Sequence, residues 1–115
     1  PGWSKLLASS GRPATIVWSV SVDRSASSSY HDVHVGGLTK LLDAVHATGG
    51  ASPRIVFASS TGVWGDEQGG TVTESTPATP SREAGRVLLE AEQVLAAHAA
   101  GPGTALRFAG LYGPG

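Results

Sequence analysis

Ser60 is the hydroxyl with the clearest chemical setting in this sequence. It follows residues 54–59, a short run of apolar and β-branched residues that predicts a buried strand. A serine there could hydrogen-bond a ligand at the carboxyl edge of a sheet, or it could cap local backbone. Residues 58–62 also imitate the nucleophile elbow of serine hydrolases, but that motif needs a helix directly after the serine. Because a loop rich in Gly, Thr and Pro follows over 60–80, we interpret Ser60 as a ligand-facing hydroxyl.

A second candidate is the histidine pair His31 and His34, which lie three residues apart on a predicted helix. Together with Asp32 they could share a metal ion. The sequence places no third ligand beside them, and exposed or capping histidines at this spacing are the commoner case. We therefore predict no metal site.

The charged residues of the second half raise two further possibilities. Two pairs of acids could be considered as a general acid and base: residues 66–67, and Glu90 with Glu92. Acids that are adjacent or two residues apart do not share one face of a helix or loop. We therefore expect both pairs to be solvated. Arg82 and Arg86 are four residues apart, and this spacing predicts that they share one face of a helix. They could hold a phosphate or a carboxylate, although an ordinary exposed face explains the same spacing.

Five elements must position these side chains. Apolar, β-branched runs predict strands, and apolar residues recurring at three and four residues predict helices. The strands are predicted over 14–20, 54–59 and 104–108, and the helices over 30–48 and 79–101, with residues 1–13 as a connector or partial helix. Thr79 and Pro80 are expected to be the N-cap and first residue of the second helix, and the first strand is expected to be buried on both faces.

This β-α-β-α-β order requires crossover connections, so we expect a parallel sheet covered by helices. In such sheets ligands lie outside the carboxyl ends of the strands. The polar and glycine-bearing segments 19–29, 59–80 and 109–115 all fall at those ends. The predicted ligand side is therefore the edge that carries Ser60.

Composition narrows the class of protein. The 115 residues are enough for one small domain, with 40% hydrophobic and 15% charged residues and a net charge of -1. The 8 basic residues are scattered among 9 acidic ones, which excludes the basic stripe of a nucleic-acid binder. The absence of cysteine excludes disulfides and thiolate sites. No apolar run is long enough for a membrane span and no signal-peptide pattern begins the sequence, so a cytoplasmic location is the default expectation.

Several blocks together resemble one family. Residues 54–65, RIVFASSTGVWG, resemble the strand followed by Ser-Ser-x-x-Val-Tyr-Gly in extended short-chain dehydrogenases, the NAD-dependent epimerase/dehydratase group. Residues 71–80 are similar to its Glu-x-x-Pro-x-x-Pro loop, 89–92 to its helix with a repeated Glu, and 106–115 to its Leu-Arg-x-x-x-x-Tyr-Gly-Pro-Gly strand end. Residues 34–38 lie where the group has Asn-Val-x-Gly-Thr. Within the group, the stretches 59–69 and 85–88 look most like an atypical branch.

The resemblance implies an α/β fold, the second half of a Rossmann-like doubly wound parallel sheet that binds NAD or NADP. Residues 14–115 would form this half, and the chain would be a piece of a longer protein. Ser60 matches the catalytic Ser or Thr of the family. By position, the resemblance also implies the following cofactor-binding residues: Ser19, Val20, Ser59, Phe108, Ala109 and Gly110.

Two departures from the family bear on its chemistry. The family exchanges a proton through a Tyr and a Lys four residues later, but counting back from Glu90 places Arg82 and Arg86 at these positions. A guanidinium cannot exchange a proton near neutral pH, because its pKa lies above about 12. The phosphate-binding Gly-x-x-Gly-x-x-Gly loop between a first strand and a helix is also missing from the sequence. We expect an NAD(P)-binding protein that acts on a nucleotide sugar or a related carbonyl compound, or else a non-catalytic dinucleotide sensor or partner-binding protein.

Overall fold

The computed structural model describes residues 2–23, 25, 27–65, 68–100 and 103–114. The helices and strands in chain order are α1 (Trp3–Ser9), β1 (Thr15–Trp18), α2 (Gly37–Ala47), β2 (Arg54–Ser60), α3 (Glu83–Ala97) and β3 (Gly103–Phe108). A π-helical turn over Asp32–Gly36 leads into α2, and a 3-10 turn over Thr61–Trp64 follows β2. The acid pair at 66–67 lies outside the described residues, so its expected exposure stays a prediction.

The strands form one parallel sheet in the order β1-β2-β3. Ile16 lies opposite Ile55 in the first pair, and Ser60 lies opposite Phe108 in the second. Each strand reaches the next through a helical crossover, as parallel pairing requires. The predicted β-α-β-α-β order and parallel sheet are confirmed.

The core lies between this sheet and the helices α2 and α3. Leu38 and Leu42 of α2 and Ile55 and Phe57 of β2 are fully buried, and Ala91 of α3 joins them in the same cluster. Burying a side chain of the size of Leu, Ile or Phe contributes about 1.5–3 kcal/mol. No helix in the described ranges is long and apolar enough to cross a membrane.

The opposite face of the sheet is open in the described part of the chain. Side chains alternate between the two faces of a strand, and Val17, Leu106 and Phe108 all lie on the face away from the core. They are 65%, 43% and 43% exposed, respectively. The prediction that the first strand is buried on both faces is therefore wrong for the described chain, because its helices cover only one face of the sheet.

Helix α3 also begins later than the sequence suggested. Thr79 and Pro80 were expected to start it, but the helix begins at Glu83, and Arg82 is its N-cap with an extended backbone. The Thr79 hydroxyl instead donates to the backbone oxygen of Trp64 at 3.2 Å. This contact ties the segment before α3 to the turn after β2.

Two glycines allow α3 and this turn to approach so closely. A Cβ at Gly85 would lie 2.5 Å from the backbone oxygen of Gly62 and 2.9 Å from Cβ of Pro80. At Gly65, which has a φ of +79°, a Cβ would lie 2.3 Å from the backbone oxygen of Thr79. Both positions therefore exclude a side chain unless the backbone moves.

We expect Gly85→Ala to destabilise the fold even though alanine is the better helix former. Helix propensity alone would stabilise the helix by about 1 kcal/mol, whereas forcing a methyl group into a packed contact costs about 1–3 kcal/mol. Gly36 is the matched control, because it has helical backbone angles and a Cβ added there would meet no atom within 4 Å. Urea unfolding should show Gly36→Ala stabilised and Gly85→Ala destabilised; stabilisation of both would contradict the close contact.

Candidate functional site

Ser60 ends β2 and caps the 3-10 turn that follows. Its backbone is extended, with φ -139° and ψ 149°, and its Oγ accepts a hydrogen bond from the backbone N–H of Gly62 at 3.1 Å. The hydroxyl donates to no described residue. The turn thus uses the acceptor side of Ser60 and leaves its hydrogen available to a ligand.

A cavity of about 670 Å³ lies beside this hydroxyl, and we call it the Ser60 cavity. Small residues of the turn and of the N-terminal part of α3 form most of its wall, and Leu88 adds an apolar surface. Its lining consists of Tyr30, Ser60, Thr61, Gly62, Gly65, Ser81, Arg82, Ala84, Gly85 and Leu88. The described part of the wall therefore includes a phenol, three hydroxyl side chains and one guanidinium.

Ser59 faces away from this cavity, into the core. It is buried, and its Oγ donates to Oε1 of Glu92 at 2.5 Å. Glu92 also accepts from Arg107, at 2.7 Å to Nη2, and this hydrogen bond raises the pKa of the guanidinium. The expectation that Glu92 is solvated is wrong, because β3 brings Arg107 against it. The side-chain hydroxyl of Ser59 is thus engaged inside the protein.

Arg107 in turn links this cluster to Trp64. Its guanidinium carbon lies 4.7 Å from the Trp64 ring centroid, a cation–π geometry. The indole N–H donates to the backbone oxygen of Thr76 at 3.2 Å. Trp64 stands where the family pattern has Tyr, and here it anchors the loop to β3.

The other predicted cofactor-binding residues lie along the same strand ends but outside the lining of the Ser60 cavity. Ser19 is exposed after β1, and Val20 is half-buried against the core. Phe108 lines a separate cavity of about 560 Å³ along β3, together with Arg107 and Trp64. Residues 109–110 follow β3 and are exposed.

The two arginines do not form the helical pair that their spacing indicated. Arg82 precedes α3 and lines the Ser60 cavity. Arg86 lies within α3, and its Nη1 donates to the backbone oxygen of Ser81 at 3.2 Å. Among the described residues of the lining, Arg82 is thus the one that contributes a cationic group.

Tyr30 is the site residue that the sequence analysis missed. It begins the helical segment before α2, and its ring centroid lies 4.2 Å from that of His34, with the planes tilted by 48°. His34 is buried and its Nδ1 has no hydrogen-bond partner among the described residues. Burial raises the pKa of the Tyr30 phenol and lowers the pKa of the His34 imidazole. The sequence signal was only that Tyr30 and His34 are four residues apart on a helix.

The histidines of the possible metal pair have separate environments. Nε2 of His31 lies 3.1 Å from Oε1 of Glu90, at the surface, whereas His34 packs under Tyr30. Within the ranges that the structure describes, no group of three or more His, Cys, Asp or Glu side chains is arranged to hold a metal ion.

The cluster of Ser59, Glu92 and Arg107 should contribute measurably to stability. In Glu92→Gln the charged acceptor of two side chains is lost in a place where it is only 10% exposed, so we expect a loss of about 2 kcal/mol in the free energy of unfolding. Glu90→Gln is the matched control on the same helix, since its pair with His31 is half exposed and should cost under about 1 kcal/mol. Equal losses in urea unfolding would contradict this account of the cluster.

The buried His34 predicts a loss of stability in mild acid. Its folded-state pKa lies below the ordinary value of about 6.5, so the unfolded chain binds more protons than the folded chain below that pH. The free energy of unfolding should therefore fall as the pH drops below about 6.5, by at most about 1.4 kcal/mol per pH unit. Urea unfolding at pH 7.5 and pH 5 measures this fall. It should be smaller in His34→Gln than in the wild type, and unchanged in the control His46→Gln, since His46 is exposed. A fall of the same size in His34→Gln and in the wild type would contradict the role of His34.

Comparison with known proteins supports the same fold and the same family as the resemblance described in the sequence analysis. The NAD dependent epimerase/dehydratase family matches over residues 5–115. Protein YeeZ of Escherichia coli strain K12 is 56% identical over 66 residues, which cover 55% of this chain and 23% of that protein. The chain thus spans about a quarter of this relative's length.

Solved structures show the same architecture. A short-chain dehydrogenase/reductase superfamily protein from Agrobacterium tumefaciens, crystallised with bound NAD, superposes with a TM-score of 0.68 at 26% identity, covering 91% of this chain and 33% of that one. A protein from Methylobacillus flagellatus, described as an NAD-dependent epimerase/dehydratase, shares the fold with a TM-score of 0.54 at 24% identity, covering 97% and 50%. This chain therefore has a Rossmann-like fold, with a parallel sheet flanked by helices. With a family match over nearly its whole length, the chain belongs to the NAD-dependent epimerase/dehydratase family.

Proposed function

We propose that this chain binds the nicotinamide end of NAD or NADP at the carboxyl edge of its sheet. The protein that carries it would oxidise, reduce or epimerise a nucleotide sugar or a related carbonyl compound. The observation that carries the proposal is the Ser60 hydroxyl, which has its acceptor side engaged by Gly62 and its hydrogen free beside a cavity of about 670 Å³. Such a donor can hold the oxygen of a carbonyl or carbinol group.

The residues of the cavity fit this end of the cofactor. A flat ring needs close access to the backbone, and Gly62, which is exposed and lines the cavity, leaves that access open. The bound dinucleotide would supply hydride exchange, while Ser60 would orient the substrate oxygen. Ser19, Val20 and residues 108–110 share the same edge and would contact the rest of the nucleotide, with Ser59 acting only through its backbone.

The fit does not extend to the pyrophosphate. The sequence contains no Gly-x-x-Gly-x-x-Gly loop, the usual source of N–H donors for these phosphates. We therefore propose that residues 14–115 are the second half of an NAD(P)-binding domain, with the phosphate loop elsewhere in a longer protein. The open sheet face with Val17, Leu106 and Phe108 supports this, because doubly wound sheets carry helices on both faces.

A second candidate function is dinucleotide binding without turnover, as in a sensor or a partner-binding protein. The feature that favours it is the prediction, from the family resemblance, that Arg82 and Arg86 stand at the positions of the family's Tyr and Lys. Arg86 is bonded to the backbone of Ser81, and neither guanidinium can exchange a proton near neutral pH. In this case NAD would bind at the same edge but no substrate would be converted.

Calorimetric titration of NADH into the full-length protein tests the binding claim. Ser60→Ala removes the donor, and we expect about 5–10-fold weaker binding, the effect of one lost hydrogen bond. Ser52→Ala is the matched control, because Ser52 is exposed just before the opposite end of the same strand; its affinity should equal that of the wild type. Ser60→Thr, which keeps a hydroxyl, should restore binding.

Two outcomes would decide against the proposal. Absence of NADH and NADPH binding to the wild-type protein would remove the cofactor claim altogether. Binding that is equally strong in Ser60→Ala would move the nicotinamide away from this cavity. Assay of a panel of nucleotide sugars then separates the enzyme from the sensor.

A further inference from the structure

Tyr30 presents a phenol to the Ser60 cavity from a different element than Ser60 itself. Ser60 comes from the end of β2, and Tyr30 comes from the start of the helical segment that leads into α2. The phenol ring rests against the buried imidazole of His34, at 4.2 Å between centroids. Its hydroxyl is bonded to no described residue. The ring is thus held in place while its reactive end stays available.

Arg82 lines the same cavity as the phenol and the serine. Its guanidinium has no partner among the described residues, and no carboxylate belongs to the described lining of the cavity. A cation beside a phenol favours the phenolate, whereas burial favours the neutral form. The cavity therefore combines a phenol, a permanent cation and a hydroxyl donor, a set that can exchange a proton with a carbinol.

We propose that Tyr30 is the catalytic proton donor and acceptor of this site, and that Arg82 stabilises its phenolate. The inference rests on the proposed function. In this arrangement the phenol and the cation come from two different elements, whereas the Tyr and the Lys of the family pattern lie four residues apart on one helix. Ser60 would hold the substrate oxygen between them.

During reduction, the O–H bond of Tyr30 breaks and its proton goes to the carbonyl oxygen, while the carbonyl carbon receives the hydride that the dinucleotide supplies. The phenolate then takes a proton from water. In the oxidative direction, the phenol first loses its proton to water, and the phenolate then accepts the carbinol proton as the hydride passes to the oxidised dinucleotide.

The charged and titratable groups around Tyr30 set the pH range of this step. Arg82 lines the same cavity, and the His34 ring lies against the phenol ring, with 4.2 Å between the centroids. His31, next along the chain, is paired with Glu90 of α3 at 3.1 Å. Burial raises the pKa of the phenol, and a phenol is already protonated at neutral pH at its ordinary pKa of about 10, so reduction can begin from the resting form.

The first test is a spectroscopic titration of the full-length protein with and without NAD⁺. The phenolate absorbs in the ultraviolet, and a positively charged nicotinamide near Tyr30 should shift one tyrosine titration to lower pH. Tyr30→Phe should abolish the shift, and Arg82→Gln should move this titration to higher pH while Arg82→Lys restores it. Tyr112→Phe is the matched control, because Tyr112 is fully exposed, and it should leave the shift intact.

The second test is turnover with the panel of nucleotide sugars. Tyr30→Phe should lower kcat by about 100-fold or more, the usual loss when a general acid is removed, while its affinity for NADH stays within about twofold of wild type. If the wild-type protein binds no dinucleotide, the proposed function fails and this inference fails with it. If the wild type binds NAD⁺ but the titration does not shift, or Tyr30→Phe retains full turnover, the inference alone is overturned.

Discussion

The alternation of side chains at the end of β2 is the constraint on which the site depends. Ser59 is directed into the core, where Glu92 and Arg107 hold it, and its neighbour Ser60 must then face the other way. A slip of one residue in the register of β2 would exchange these two positions. The buried cluster therefore does more than stabilise α3 against β3, because it decides which of two adjacent serines reaches the cavity.

The shape of the cavity follows from a second contact, between α3 and the turn after β2. Gly85 lies so close to Gly62 that a side chain cannot enter between them. This contact places Arg82, the residue just before α3, at the mouth of the same space as Ser60. The family resemblance predicts arginines at the proton-exchanging positions, and one of them, Arg82, lines this cavity. Tyr30, from the helical segment before α2, lines the same cavity.

Local pattern was sufficient to predict the order of elements, the parallel sheet and the position of Ser60. The apolar spacing of α2 and α3 is strong, and Ser60 is adjacent in sequence to the strand that places it. The start of α3 was missed because Thr79 bonds to Trp64, fifteen residues earlier. Glu92 and Tyr30 were missed for a similar reason: their environment is supplied by Arg107 and by the Ser60 turn, which only the folded chain brings near. Contacts between distant segments leave no periodic signal in one sequence.

The central claim is that the space beside Ser60 receives the nicotinamide and the reacting group of the substrate. A crystal structure of the full-length protein with NAD bound tests it most directly. We expect the nicotinamide ring at the carboxyl edge of β2, with the Ser60 hydroxyl and the Tyr30 phenol both facing the ring's reactive carbon. A cofactor bound elsewhere in the protein, with the Ser60 cavity closed or filled by another segment, would contradict it.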